Sequence, residues 1–229
     1  MDLPKRVTMI EMVGPAGAGK TTLSRVLSQN DPNIQIGSEI ELRKPNYLIF
    51  FIRKLITLIP FLLRQIANGR WFTWDEIKLL VYLEGWSGIL TSEARSPGST
   101  VLLDHGPVFK MATLREFGPE KLKHGAFSAW WDGMLKHWAS TLDLIVWLDA
   151  PDAVLDNRIN SRDQKHLVKG KNTAEVEHFL ARYRSAYQDV LTRLGLAGGP
   201  QMLKFDTSEV GIEQVAAEIQ RALAVSVER

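Results

Sequence analysis

Apolar residues gather in short runs at five places along the chain, and between those runs they recur every three or four positions. Val7 to Val13 (VTMIEMV), Ile34 to Ile36, Ser99 to Asp104 (STVLLD), Asp143 to Asp149 (DLIVWLD) and Gln201 to Asp206 (QMLKFD) read as strands. Their centres are nearly continuous in apolar residues, the pattern of strands covered on both faces. Helical periodicity runs over Lys20 to Gln29, Thr173 to Leu194 and Val210 to Ala224. Strands alternating with helices predict an α/β fold, a doubly wound sheet of five parallel strands with helices on both faces. No repeat or long linker divides the chain, so residues 1–229 read as a single domain. Two stretches exceed a simple crossover, Glu39 to Arg95 and the Trp-rich Phe109 to Ser140, and each predicts extra helices on one side of the sheet.

The most apolar stretch is Tyr47 to Leu63 (YLIFFIRKLITLIPFLL). Its length only reaches the lower limit for a membrane span. Arg53 and Lys54 sit at its centre, where each costs about +2.5 to +3.5 kcal/mol in a bilayer. No transmembrane span is expected. The helix reads as core, as the interface of a homodimer, or as a peripheral membrane contact, since Arg43, Lys44, Arg64, Arg70, Trp71 and Trp74 flank it.

Composition narrows the chemistry. The net charge of +2 makes no case for nucleic acid as a partner. There is no cysteine, which removes disulfides, thiolate nucleophiles and cysteine-ligated zinc. Without an apolar leader before the first strand, a cytoplasmic location is expected.

Gly14-Pro15-Ala16-Gly17-Ala18-Gly19-Lys20-Thr21 fits G-x-x-x-x-G-K-[ST] at every position, between a strand and a helix. The glycines let the backbone curl so that successive N–H groups point at phosphate oxygens, and the helix that follows, with Thr22 in its first turn, adds its positive dipole end. Lys20 is expected on the β- and γ-phosphates, and the Thr21 hydroxyl on Mg²⁺. Asp104 ends a strand at the edge where such sheets place ligands. Its carboxylate is read as a base or a magnesium ligand, with a helix N-cap as the alternative. Past the fourth strand, Arg158 and Arg162 are four apart and predict a shared helix face, followed by Lys165, His166, Lys169 and Lys171 in the polar stretch 161–172. That stretch reads as a lid closing over phosphates, or as a solvated basic surface.

Five segments, GPAGAGKT, LLDHGP, DLIVWLDAPDAVLDNRINSR, FLARYRSAYQDVL and FDTSEV, together resemble the P-loop nucleoside and nucleoside-monophosphate kinase superfamily, nearest its thymidylate-kinase-like and deoxynucleoside-kinase-like branches. The resemblance implies catalytic roles for Lys20, Asp104, Arg158 and Arg162, and an adenine-side loop at Asp206, Thr207 and Ser208. It makes the insert 39–95 the acceptor side, with Glu39, Glu41, Arg43, Glu84, Trp86 and His105 as substrate contacts. His105 stands where relatives carry arginine, and a mostly neutral imidazole is a weak anion ligand. The implied activity is ATP- and Mg²⁺-dependent phosphoryl transfer to a small molecule, first a nucleoside monophosphate or deoxynucleoside. Alternatives are a sugar, lipid or antibiotic hydroxyl, or a regulatory nucleotide switch with no acceptor.

Overall fold

The computed structural model describes residues 6–66, 70–123, 125–163 and 165–227. The five strands are β1 (Thr8–Val13), β2 (Ile34–Ile36), β3 (Thr100–Leu103), β4 (Leu144–Asp149) and β5 (Gln201–Asp206). They form one parallel sheet in the order β2-β3-β1-β4-β5. The central strand β1 pairs Thr8 with Thr100 of β3 on one side and Ile10 with Leu144 of β4 on the other.

Side chains alternate across the sheet, so the central strands β1, β3 and β4 feed two cores, whereas the edge strand β2 gives only Ile34 to one of them and leaves Ile36 exposed. Ile10, Met12, Leu102, Val146 and Leu148 pack with α1 (Lys20–Asn30), α7 (Asp152–Asn160), α9 (Ile212–Val227) and the first half of α8 (Thr173–Leu196). Met9, Val13, Val101, Leu103, Ile145 and Trp147 face the opposite way, toward the rest of α8 and five more helices. These are α2 (Pro45–Ile66), α3 (Trp74–Leu83) and α4 (Trp86–Ser92) from the insert, then α5 (Pro107–Phe117) and α6 (Ser128–Thr141), with two short 3₁₀ turns between the last pair. Both long crossovers therefore lie on one side of the sheet, as their length implies.

Local sequence explains where these helices begin. Thr73 and Glu76 form a reciprocal capping box at the start of α3, and Asn172 with Glu175 does the same for α8. Pro60 sits inside α2 without ending it, because it lies on the exposed face, where water can take the released carbonyl. Two fully buried tryptophans have their N–H groups satisfied: Trp86 donates to Ser38 O at 2.8 Å and Trp138 to Leu83 O at 3.0 Å. Among the described residues α2 is the one helix long and apolar enough to cross a membrane, yet Tyr47, Phe51, Leu58 and Leu62 tie its inner face into the core.

Candidate functional site

The carboxyl ends of β1, β3 and β4 converge on one edge of the sheet. After β1 the chain turns at Gly14, with φ 139°, where a Cβ would lie 1.9 Å from the carbonyl oxygen of Leu148 in β4. No other residue fits there. Gly19, in the left-handed region at φ 94°, then opens α1, so the first N–H groups of that helix face the concave side of the loop. Lys20 Nζ donates to Gly14 O at 2.7 Å and Pro15 O at 3.0 Å, folding the lysine over its own loop. Burial lowers the Lys20 pKa to about 8; the Asp104 carboxylate opposes that shift and Arg162 adds to it.

Thr21 Oγ1 donates to Asp104 Oδ2 at 2.6 Å, while the buried Asp104 Oδ1 has no hydrogen-bond partner. Asp104 is not the cap of α5. That role falls to Glu11, whose carboxylate reaches from β1 to accept from the N–H groups of Val108 at 2.9 Å and Phe109 at 3.0 Å. Burial pushes the Glu11 carboxyl up to about 8, against the pull of those two N–H groups and of Lys110. A threonine hydroxyl and an unpartnered carboxylate oxygen make a hard-oxygen donor pair of the kind magnesium takes together with phosphate oxygens. Among the described residues no cluster of three or more acidic, histidine or cysteine side chains could hold a metal by itself. The residues fit an ion shared between Thr21, Asp104 and a bound phosphate.

Two clefts open at this loop, and a third adjoins the larger of them. The largest, about 530 Å³, lies over Lys20 and Thr21 and is walled by His105, Phe109, Arg162, His166, Phe179 and Tyr183. A second, about 280 Å³, runs between Thr22, Leu23, Arg158, Thr207, Val210 and Ile212. Arg158 is built into its wall: it donates to Thr207 Oγ1 at 2.8 Å, Thr207 O at 2.9 Å and Gly17 O at 3.3 Å, tying the phosphate loop to the turn after β5. Asp206 spends its carboxylate on that turn, accepting from Ser208 N at 2.8 Å.

The expected shared face of Arg158 and Arg162 does not form. Helix α7 ends at Asn160, with Ser161 as its C-cap, so Arg162 lies beyond the helix and lines both of these clefts. The polar run from Asn160 onward supplies no apolar contact to extend the helix. In the stretch 161–172, Gln164 lies outside the described residues; Lys165, His166 and Leu167 line the largest cleft, and Lys169 bonds back to the Arg162 carbonyl.

The third cleft, about 370 Å³, shares His105 and Phe109 with the first and continues between Glu39, Ile40, Asp75, Lys78, Tyr82 and Lys110. Lys110 is nearly buried at 4% exposed; its Nζ donates to both oxygens of Glu39 at 3.0 and 3.1 Å, and to the His105 carbonyl. It also lies 3.9 Å above the Tyr82 ring. Lys78 pairs with Asp75 at 2.6 Å. Both lysines of this cleft thus have carboxylate partners, Lys110 in a nearly buried setting and Lys78 at the surface. Burial holds the His105 imidazole below its usual range, with Asp104 opposing, which keeps it uncharged at neutral pH although part of the residue stays exposed.

The other insert positions lie elsewhere. Glu41 pairs with Lys44 at 3.3 Å on the surface, and Arg43 is exposed outside the three clefts. Glu84 accepts from Trp130 Nε1 at 2.7 Å, and Trp86 is fully buried against Tyr47 and Tyr82. Residue-by-residue reading missed Glu11, Lys110, Tyr82 and the aromatic ladder Phe179, Tyr183, Tyr187. The ladder carried a signal, since spacings of four place all three on one face of α8. Also missed was Arg184, which holds α8 to the end of β4 by donating to Asp149, to Asp152 and to the Ala150 carbonyl at 2.9 Å.

No protein-family model and no curated protein sequence matches the chain. Solved structures do. Thymidylate kinase from Candida albicans aligns with a TM-score of 0.56 at 15% identity, over 96% of this chain and 92% of that one. The YorR protein of Bacillus subtilis, solved with phosphorylated GDP, gives 0.54 at 15% identity over 97% and 99%. Deoxyadenosine kinase from M. mycoides with bound dATP gives 0.51 at 14% identity over 95% and 100%. Near end-to-end coverage together with the all-parallel sheet establishes that this chain has the fold of the P-loop nucleoside and nucleoside-monophosphate kinases.

Proposed function

We propose that the protein transfers the γ-phosphoryl group of ATP to a small molecule seated between Glu39, Tyr82 and Lys110. The observation that carries this reading is the common wall of the first and third clefts: His105 and Phe109 border both, so a phosphate on Lys20 and an acceptor beside Glu39 are neighbours. In this reading 39–95 is the acceptor side of one domain and 161–172 is its lid. Lys20 releases the Gly14 and Pro15 carbonyls to bind phosphate oxygens. Thr21 and Asp104 would hold magnesium, which would neutralise charge on the transferring group. Asp104 also stands where a carboxylate can take the acceptor proton, directly or through water. Arg162 reaches the phosphates from the lid, and Arg158 shapes the pocket for the base.

A nucleoside is the first acceptor class to test, in keeping with the structural neighbours. A non-nucleotide hydroxyl is the second, favoured over a monophosphate by the pairing of Lys78 and Lys110 with carboxylates and by the uncharged His105. The test is acceptor-dependent ADP release across nucleosides, nucleoside monophosphates, sugars and polyprenols. A steady ATP turnover that no acceptor stimulates would instead favour a nucleotide switch.

Two predictions arise here. Arg162→Ala is expected to lower kcat by about 10²-fold or more while changing nucleotide Kd only a few-fold, because a lid cation acts chiefly on charge developed in the transition state. Parallel steady-state and binding titrations check this, and a pure Kd effect makes Arg162 a ground-state ligand. Nucleotide affinity is also expected to fall with pH above about 8. Bound phosphate raises the Lys20 pKa from about 8, so below that value the lysine is charged in both states and contributes no slope. Above it the free enzyme must take up a proton on binding, and affinity drops by up to about tenfold per pH unit until the bound-state pKa is passed. Calorimetry at pH 9 in two buffers of different ionisation enthalpy reads that proton directly, and Lys20→Arg should lose the dependence.

A further inference from the structure

Among the described residues, nothing covers the outer face of α2. Ile49, Ile52, Ile56, Ile59 and Leu63 recur at alternating spacings of three and four, which aligns them along one side of the helix. All five are exposed, Ile56 by 59% and Ile49 by 58%. A 22-residue helix is about 33 Å long, so the stripe covers most of that length. Solitary exposed leucines are ordinary, but a continuous aliphatic stripe marks a surface made to be covered. Trp71 and Trp74, 48% and 52% exposed, follow on the segment leading into α3, and Trp74 packs on Phe51 of α2 at 5.3 Å.

Charge points to what covers the stripe. Helix α2 contains no aspartate or glutamate, and Arg53 is exposed on the stripe itself, four residues from Ile49 and three from Ile56. The acids on either side are already paired with cations: Glu39 with Lys110, Glu41 with Lys44, Asp75 with Lys78 and Glu76 with Arg70. Symmetric packing of two copies through this stripe would bring two Arg53 guanidinium groups into one apolar seam, and α2 offers no carboxylate to neutralise them. A lipid surface resolves both features: acyl chains cover the isoleucines, Arg53 extends to the headgroup phosphates, and exposed tryptophans suit the boundary between the two. The inner face of α2 stays in the core, so the helix lies on the bilayer and does not cross it.

We infer that α2, with Trp71 and Trp74, docks this protein on an anionic membrane surface. The docking face and the third cleft share α3, which begins at Trp74 and lines the cleft through Asp75, Lys78 and Leu79, so docking sets the cleft beside the bilayer. The docking stands independently of the proposed activity.

The test is flotation of the full chain with vesicles of phosphatidylcholine and phosphatidylglycerol (3:1) and with vesicles of phosphatidylcholine alone, alongside light scattering without lipid. The full chain should float with the anionic vesicles and bind the neutral ones about tenfold more weakly. High salt should weaken the anionic binding. Ile52→Glu/Ile56→Glu should abolish flotation with an unchanged circular dichroism spectrum, since both side chains are exposed. Brominated lipid should quench tryptophan emission, and Trp71→Phe/Trp74→Phe should remove that quenching. Failure of the wild-type chain to float overturns the inference, as does a lipid-free dimer that Ile52→Glu/Ile56→Glu converts to monomer, which would seat a second copy on the face. Equal binding to both vesicles, or flotation unaffected by the double substitution, overturns it as well.

Discussion

Lys20→Ala is expected to reduce acceptor phosphorylation by at least about 10³-fold and leave the fold intact. The loss follows from removing a preorganised cation from phosphate oxygens in the cleft, where a single well-placed donor is worth about 10²- to 10³-fold and a full charge more. The fold survives because Gly14 and Gly19 set the loop backbone through their own dihedral angles. The variant gives up two bonds to Gly14 O and Pro15 O, but it also relieves a cation that burial holds at a pKa of about 8, so the two effects on stability oppose each other. Single-turnover transfer with a thermal melt on the same sample checks both halves. Near wild-type turnover in a folded Lys20→Ala protein ends the kinase reading.

Asp104→Asn is expected to cost about 10²- to 10⁴-fold in turnover with little change in melting temperature. The substitution keeps a side-chain oxygen to accept from Thr21, preserving the 2.6 Å contact, and removes the charge that a base or a magnesium ligand needs. A structural role predicts the reverse, about 1 kcal/mol of stability with activity retained. Geometry already weakens that alternative, because Glu11 occupies the capping position on α5. Nucleotide affinity measured with and without magnesium completes the test. If only the magnesium-dependent part of affinity is lost, Asp104 is a metal ligand; if affinity holds and the rate falls, it is a base. Ordinary activity removes Asp104 from the mechanism, and Glu39 is the next carboxylate to substitute, since it lines the third cleft and holds Lys110.

Much of this was legible along the chain because the relevant signals are local. The phosphate loop is eight consecutive residues whose backbone conformations follow from their own glycines. The central strands β1, β3 and β4 were readable because burial on both faces leaves them almost continuously apolar, while β5, partly exposed along its length, and the short β2 carried weaker signals; α3 and α8 start at capping boxes complete within four residues. Arg162 was misplaced by the same local reasoning: a spacing of four implies a shared face only while the helix continues, and α7 stops at Asn160.

What only the tertiary structure decided are pairings between residues distant in sequence. Glu11 caps a helix 97 positions away, and it can do so because the register of β1 beside β3 brings its carboxylate under the first turn of α5. Lys110 meets Glu39 across 71 positions, which turns two charges that look solvent-bound into a neutral wall of the third cleft. Trp86 and Glu84 of the insert were read as acceptor contacts, but Trp86 was taken up by the core and Glu84 by the indole of Trp130, because an indole packed away from water needs a carbonyl or carboxylate for its N–H. Sequence alone therefore determined the glycine-rich loop and the strand ends around it. Packing decided which charges remain free to act there, because a charge is silenced or left available by its neighbours in space.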